Sequence, residues 1–245
     1  MSNYYGELCT KMYEKEKPVA EERELDFYLS FVKNKEMKVL EPMCGNGRLL
    51  IPFLQKGINI EGFDISEEML KVCKEKGEKL HLDPFVFKKG IEEFKSDKLY
   101  DLILIPFGSF SLLPDSIVNK SLHNLKSVLA NKGKLLLTLM EKEGEIKEIL
   151  DWNETNRISF SNETIVEFKK VTYNEQNDIL ETQLKYQSIQ NHSIRKSEIM
   201  DFPIKLYDMK AFKNTLKRNG FQNIIVHEIE NGYGNGNSFK VVECS

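Results

Sequence analysis

Short apolar runs separated by segments of helical length constrain this chain more than any other feature. Lys38-Val39-Leu40 ends at Glu41, and Asn59-Ile60-Glu61-Gly62-Phe63 ends at Asp64. Leu102-Ile103-Leu104-Ile105 and Lys134-Leu135-Leu136-Leu137-Thr138-Leu139 follow, with a weaker run, Phe85-Val86-Phe87, before them. Runs that are apolar at consecutive positions suit strands buried on both faces, as in a parallel sheet. Between them, 48–56, 66–77 and 117–130 are each long enough for a helix. Ser66 before Glu67-Glu68 is an N-cap with an acidic first turn, and Pro114-Asp115-Ser116 opens another helix. Gly57, Gly77 and Gly133 stand where C-cap glycines are expected. Strand alternating with helix predicts an open α/β sheet.

The flanks read differently. Residues 21–32 carry Leu25, Tyr28, Leu29 and Val32 at helical spacing, so 1–37 is expected to be a helical N-terminal piece. Residues 152–192 are polar, with alternating stretches such as Thr164-Ile165-Val166-Glu167-Phe168, and predict two or three antiparallel strands. A helix over 209–219 closed by Gly220 follows. Strands over 221–230 and 238–242, joined by the Gly/Asn-rich 231–237, would finish the main sheet as an antiparallel hairpin. The expected division is a main sheet from 38–150 and 200–245, with 151–199 as an inserted antiparallel piece.

The turn Glu41-Pro42-Met43-Cys44-Gly45-Asn46-Gly47-Arg48 follows the first buried strand. Gly45 and Gly47 allow backbone angles closed to other residues and leave no side chain between backbone and ligand. Asp64 stands 23 residues after Glu41, at the end of the second strand. A carboxylate at that distance can accept hydrogen bonds from ribose hydroxyls. The third glycine of a dinucleotide fingerprint is absent, since Leu50 occupies its place. That absence, with Glu41 at the head of the loop, disfavours a pyrophosphate and a nicotinamide dehydrogenase. A carboxylate repels an anion and welcomes an ammonium or sulfonium.

These residues resemble the class I S-adenosylmethionine-dependent methyltransferases. Glu41, the Cys44-Gly45-Asn46-Gly47-Arg48 turn and Gly62-Phe63-Asp64-Ile65-Ser66-Glu67-Glu68-Met69-Leu70 look like that family's first two motifs. Leu129-Ala130-Asn131-Lys132-Gly133-Lys134-Leu135 looks like the segment leading into its fifth strand. The resemblance implies a Rossmann-like, seven-stranded, mostly parallel sheet with a C-terminal antiparallel hairpin, and S-adenosylmethionine as cofactor. It implies that Gly45, Asn46 and Gly47 line the cofactor, that Glu41 faces its amino group, that Asp64 binds the ribose and that Ile65 packs on adenine with Met69 nearby. Gly90 stands where the family has an Asp at the adenine, so the backbone of Ile91 or the carboxylate of Glu92 would take over that contact. Pro106 and Phe107 would border the cofactor, and Gly108 and Phe110 the acceptor. Tyr4, Tyr5, Met12 and Tyr13 resemble an aromatic lid, with Tyr5 toward the acceptor and Tyr13 toward the cofactor, or else pack as an ordinary helix. Arg23 aligns with a basic residue near the cofactor carboxylate, or is a solvated helix charge. His192, near the end of the insertion, is the one histidine expected to reach a substrate pocket. His81 and His123 are expected to face solvent.

The acceptor is expected to be a small molecule. The formal charge of −3 gives no basic excess for nucleic acid. Strand four leads into Ile105-Pro106-Phe107-Gly108 rather than the Asn/Asp-Pro-Pro-Tyr/Phe motif of enzymes acting on base amines or glutamine amides. An RNA methyltransferase, which would need a basic face, and a non-catalytic cofactor-binding protein, which would lack a pocket at 107–110, are the alternatives. No metal set is expected. Cys9, Cys44, Cys73 and Cys244 are scattered and read as free thiols of a cytoplasmic chain, with no signal peptide and no span of membrane length. The inserted antiparallel sheet could serve as a homodimer surface.

Overall fold

The predicted strands form because their consecutive residues bury on opposite faces of one sheet. A computed structural model describes residues 5–231 and 238–245. The chain begins with α1 (Glu7–Glu16) and α2 (Glu22–Leu29). Then come β1 (Val39–Pro42), α3 (Leu50–Gln55), β2 (Ile60–Asp64), α4 (Glu67–Lys79), β3 (Phe85–Lys88), β4 (Tyr100–Ile105), α5 (Asp115–Ser127) and β5 (Leu129–Thr138). A second run of strands follows: β6 (Ile149–Ser159), β7 (Thr164–Asn174), β8 (Ile179–Gln190), β9 (Ser193–Asp201) and β10 (Ile204–Lys205). The chain then returns through α6 (Met209–Arg218) to β11 (Ile225–Ile229) and β12 (Phe239–Cys244).

The main sheet has seven strands in the order β11-β12-β5-β4-β1-β2-β3. β1 to β5 pair in parallel, and β12 pairs antiparallel with both β5 and β11. This is a Rossmann-like fold with a C-terminal antiparallel hairpin. Alternation sorts the core: Leu40, Ile103, Leu135 and Leu137 pack with α5 and α6, while Val39, Leu102, Leu104 and Leu136 pack with α2, α3 and α4. β1 has β2 on one side and β4 on the other, so chain order reverses there and a crevice opens at its carboxyl end.

The inserted sheet is larger than the sequence pattern suggests. It has five strands, with β6, β7, β8 and β9 each nine to twelve residues long, and extends from Ile149 to Lys205. Its outer strand β9 carries Arg195-Lys196-Ser197-Glu198 and is mostly exposed, so no apolar alternation marks it. A third core joins this sheet to α1 through Leu8, Cys9, Met12, Ile165, Tyr186 and Met200.

Two of the expected helix-closing glycines do other work. Gly77 lies inside α4, where a Cβ would come 2.4 Å from Pro84 Cδ, so it admits the chain packed beside the helix. Gly133 lies within β5, where a Cβ would sit 2.9 Å from the carbonyl oxygens of Ala130 and Tyr100. Gly57 and Gly220 do follow helices, with φ of 73° and 84°. Apart from Asn231, the 231–237 connection lies outside the described residues. The four cysteines are buried free thiols. Among the described residues no helix is long and apolar enough to cross a membrane, and no group of three His, Cys, Asp or Glu is placed to hold a metal ion.

Candidate functional site

Two neighbouring cavities open at the carboxyl ends of β1, β2 and β4. The first, about 280 Å³, is walled by Glu41, Gly45, Asn46, Asp64, Ile65 and Phe107 among others. The second, about 710 Å³, lies between α1, the inserted sheet and the end of β5. Tyr5, Tyr13, Phe107, Ser109 and Leu112 line both.

The glycine turn shapes the smaller cavity in two different ways. Gly45 has φ 53° and open space where a Cβ would stand, and its N–H donates to Asp64 Oδ2 at 2.9 Å. Gly47 does not line the cavity. It has φ 73°, and a Cβ would meet Cys73 Sγ at 2.5 Å, so it seats the turn against α4. Gly47→Ala is therefore expected to cost about 1–3 kcal/mol in a urea unfolding titration, from backbone strain and overpacking together. An unchanged midpoint would show that α4 can shift to make room.

Asp64 is tied at both oxygens, with Oδ1 accepting the Ser66 N–H at 2.9 Å. Burial raises its pKa, opposed by the backbone donors of Ser66, Gly45 and Ile65. Glu41 is buried at the end of β1, and its Oε2 has no hydrogen-bond partner. Burial pushes its carboxyl up to about 8, against the pull of Arg48. Ile65 stays 48% exposed in the cavity wall, an apolar surface available to a ring. Met69, Ile91, Glu92, Lys89 and Pro106 complete that side.

The N-terminal helix is clasped over the turn. The Tyr5 carbonyl accepts from Ser66 Oγ at 3.1 Å. Asn46 Nδ2 donates to Glu14 Oε2 at 2.6 Å and to the Lys17 carbonyl at 3.2 Å. Lys76 Nζ lies 3.0 Å from the same Glu14 oxygen. Tyr5 and Tyr13 meet edge to face at 6.0 Å between the two cavities. Tyr4 lies outside the described residues.

Several expected residues fall elsewhere. Arg23 is exposed and donates to the Glu230 carbonyl at 3.2 Å, away from both cavities. The cation that does line the smaller cavity is Arg48, paired with Glu24 through two 2.6 Å contacts and buried. Gly90 caps a short 3₁₀ turn (Ile91–Glu93) and leaves the wall to its neighbours. Phe110 is fully buried against Phe212 and Tyr207, because its 3₁₀ turn (Ser109–Leu112) aims Ser109 and Leu112 at the cavities instead. Gly108 lines the larger cavity. His192 sits exposed in the turn between β8 and β9 and lines neither cavity, because the strands it joins carry that turn away. His81 and His123 are exposed.

Periodicity and motif spacing leave out the Glu24–Arg48 pair and the sheet residues Glu167, Leu184 and Tyr186 of the larger cavity. Glu24 leaves one trace: it stands four residues before Tyr28 on the buried face of α2.

Known proteins share this arrangement. A family described as "Methyltransferase domain" matches residues 33–192. A protein of Geobacillus sp. (strain WCH70) that carries a methyltransferase name is 27% identical over 120 residues, 45% of this chain. The match spans about half, 49%, of that curated relative's length. An amino pentose methyltransferase of Micromonospora echinaspora, solved with S-adenosylmethionine bound, superposes with a TM-score of 0.72 at 14% identity over 100% of both chains. A sugar N-methyltransferase of Streptoalloteichus sp. gives 0.72 at 13% identity, covering 99% of this chain and 93% of that one. With a glycine turn at the switch point, a carboxylate ending each of the first two strands, and the family match over most of the main sheet and insertion, the chain belongs to the methyltransferase-domain family.

Proposed function

We propose that this protein transfers a methyl group from S-adenosylmethionine to a nitrogen or oxygen of a small-molecule acceptor. The observation that carries the reading is the pair of cavities meeting at Tyr5, Tyr13 and Phe107, which gives a donor and an acceptor adjoining sites with a common wall. The smaller cavity suits the donor. Its buried, unpartnered Glu41 Oε2 calls for a cation, and the cofactor's amino-acid end has an ammonium. The Asp64 oxygens accept from the Gly45 and Ser66 N–H groups, with the Ile65 N–H also nearby, and keep capacity for a ribose hydroxyl. Ile65 offers a face for adenine, with Ile91 and Glu92 beyond it, and Arg48 is the cation for the carboxylate end.

When bound, S-adenosylmethionine supplies a methyl group already activated by the sulfonium charge. The protein's task is then alignment and exclusion of water. Helix α1 closes over both cavities, and Phe107 stands where they meet, its ring beneath Lys17 Nζ at 4.6 Å and Arg48 Cζ at 4.2 Å. The names of the structural neighbours, an amino pentose methyltransferase and a sugar N-methyltransferase, support an acceptor of metabolite size.

Calorimetry should register S-adenosylmethionine or its demethylated product and no NADH; the reverse would sink the reading. Asp64→Ala should weaken that binding by about 1–3 kcal/mol, the value of hydrogen bonds to a buried carboxylate. A labelled-methyl screen over metabolites and bulk RNA should place label in the metabolites. Label in RNA alone would make the protein an RNA methyltransferase.

A further inference from the structure

The larger cavity is biased toward carboxylates. Glu16, Glu141, Glu143, Glu167 and Glu228 line it, against Lys17 and Lys240. Lys240 is engaged by Glu141 at 2.7 Å and Glu143 at 2.9 Å. The Lys17 ammonium lies over the rings of Phe107 and Tyr13, at 4.6 and 5.6 Å.

Glu167, on β7, differs from the other carboxylates. Its Oε1 accepts from Thr155 Oγ1 at 2.7 Å, and its Oε2 accepts from Tyr186 OH at 2.8 Å. Both donors are neutral, and among the described residues no basic side chain lies within 4 Å of it. Two hydroxyls thus fix the carboxylate in the wall while leaving it without a direct ion pair, the Lys17 ammonium acting on it only from a distance, and each oxygen keeps accepting capacity. Tyr186 is buried, and burial, with Cys9 and Glu167 nearby, holds its phenol protonated far above the usual range, so it remains a donor. Tyr5, Tyr13 and Phe202 add aromatic surface, Tyr5 meeting Phe202 edge to face at 5.7 Å.

We infer that the acceptor carries an amine, and that Glu167 is the binding residue that receives it as the ammonium in the larger cavity; the ammonium then gives one proton to solvent, and the freed nitrogen lone pair takes the methyl group as the sulfonium becomes a neutral thioether. This rests on the methyl-transfer reading above and narrows it. An alcohol would leave Glu167 without a direct ion pair in a partly desolvated wall, and an anionic acceptor would meet a cavity biased toward carboxylates. An ammonium makes a charge-assisted hydrogen bond there and gains from the aromatic faces.

The test uses the full chain and matched trios of probes: an amine, its N-acetyl derivative and the alcohol of the same skeleton, beginning with D-glucosamine, N-acetyl-D-glucosamine and D-glucose and widening to other metabolite amines. With labelled S-adenosylmethionine, label should enter amines and not their partners. For the best amine, Glu167→Gln should raise KM about tenfold or more with kcat within about threefold, and Glu167→Asp should recover part of the loss. Calorimetric titration of that amine into protein loaded with S-adenosylhomocysteine should show the same weakening. The cofactor's own Kd and the melting temperature should stay at wild-type values. Failure to bind S-adenosylmethionine at all would bring down the methyl-transfer reading itself. Cofactor binding with label in alcohols or N-acetyl derivatives, with no label in any amine, or with an unchanged KM in a folded Glu167→Gln, would overturn the amine assignment and leave the cofactor reading standing.

Discussion

Glu24→Ala is expected to lower the unfolding free energy by about 3–5 kcal/mol. The carboxylate meets Arg48 Nη1 and Nη2 at 2.6 Å each, and the two side chains are 0% and 7% exposed. Truncating Glu24 removes the bidentate partner of a buried guanidinium in the wall between α2 and the glycine turn. That cost exceeds the value of the pair itself, because the remaining charge has lost both water and its buried counter-ion. Arg48→Ala should cost a similar amount, since it strands the carboxylate and also removes the cation lying 4.2 Å from the Phe107 ring centre. The informative comparison is the double variant Glu24→Leu/Arg48→Met, which takes out both charges and keeps apolar volume. It should recover much of the stability of either single alanine variant while weakening cofactor binding, because Arg48 also lines the smaller cavity. Denaturant titration of the four proteins gives the cycle directly. A loss below about 1 kcal/mol in both singles would mean that the pair behaves like a solvated surface bridge.

That pair marks the boundary of what the amino-acid order discloses. The first and second strands, the turn between β1 and α3, and the place of Glu41 and Asp64 in the cavity wall were legible, because buried parallel strands leave apolar runs and these carboxylates stand at their ends. Glu24 and Arg48 are 24 positions apart, and no local periodicity links them. The same limit explains Phe110. A 3₁₀ turn, with three residues per revolution, decides whether Phe110 or its neighbours Ser109 and Leu112 face the cavities, and the pattern Gly108-Ser109-Phe110-Ser111-Leu112 does not reveal the winding. Gly77 and Gly133 read as helix-closing glycines, and the structure places them inside α4 and β5 instead. Their reason, close packing against Pro84 and against the carbonyls of Ala130 and Tyr100, depends on contacts across the fold. The inserted sheet was underestimated because β9 and the long β6, both mostly exposed, alternate only weakly. Glu167 was visible only as one charge in an alternating strand. Its importance arises from Thr155 and Tyr186, on the two flanking strands, which fix it from either side.

Binding of S-adenosylmethionine is expected to release close to one proton at pH 6, falling to about half a proton net at pH 7.5, and to tighten about 20-fold over that range. In the free protein burial holds this carboxyl up to about 8, with Glu24 and Asp64 adding to the rise and Arg48 opposing it. At pH 6 to 7.5 the group is therefore mostly protonated, while the ligand's α-ammonium, with a pKa of about 8, is charged. The buried Oε2 without a partner receives that ammonium best as a carboxylate, so the proton must leave when the ligand enters. Each pH unit below 8 then adds about 1.4 kcal/mol to the cost of binding. Stability of the free protein runs the other way. A pKa raised above the unfolded value of 4.5 makes a contribution that is fully present below 4.5 and is lost as pH rises through about 8. Alkaline conditions thus weaken the empty protein while ionising the group that the ligand requires, and the ligand restores most stability where the free chain lacks it. Asp64 is also raised by burial, so the assignment needs a variant at each carboxylate. Calorimetry in two buffers of different ionisation enthalpy should count the proton in wild type and in Asp64→Asn, and find none in Glu41→Gln, whose affinity should be low and flat from pH 6 to 7.5. A wild-type affinity that is also flat would mean that Glu41 is ionised before the ligand arrives, and its burial would then have to be offset by Arg48 more strongly than the geometry suggests.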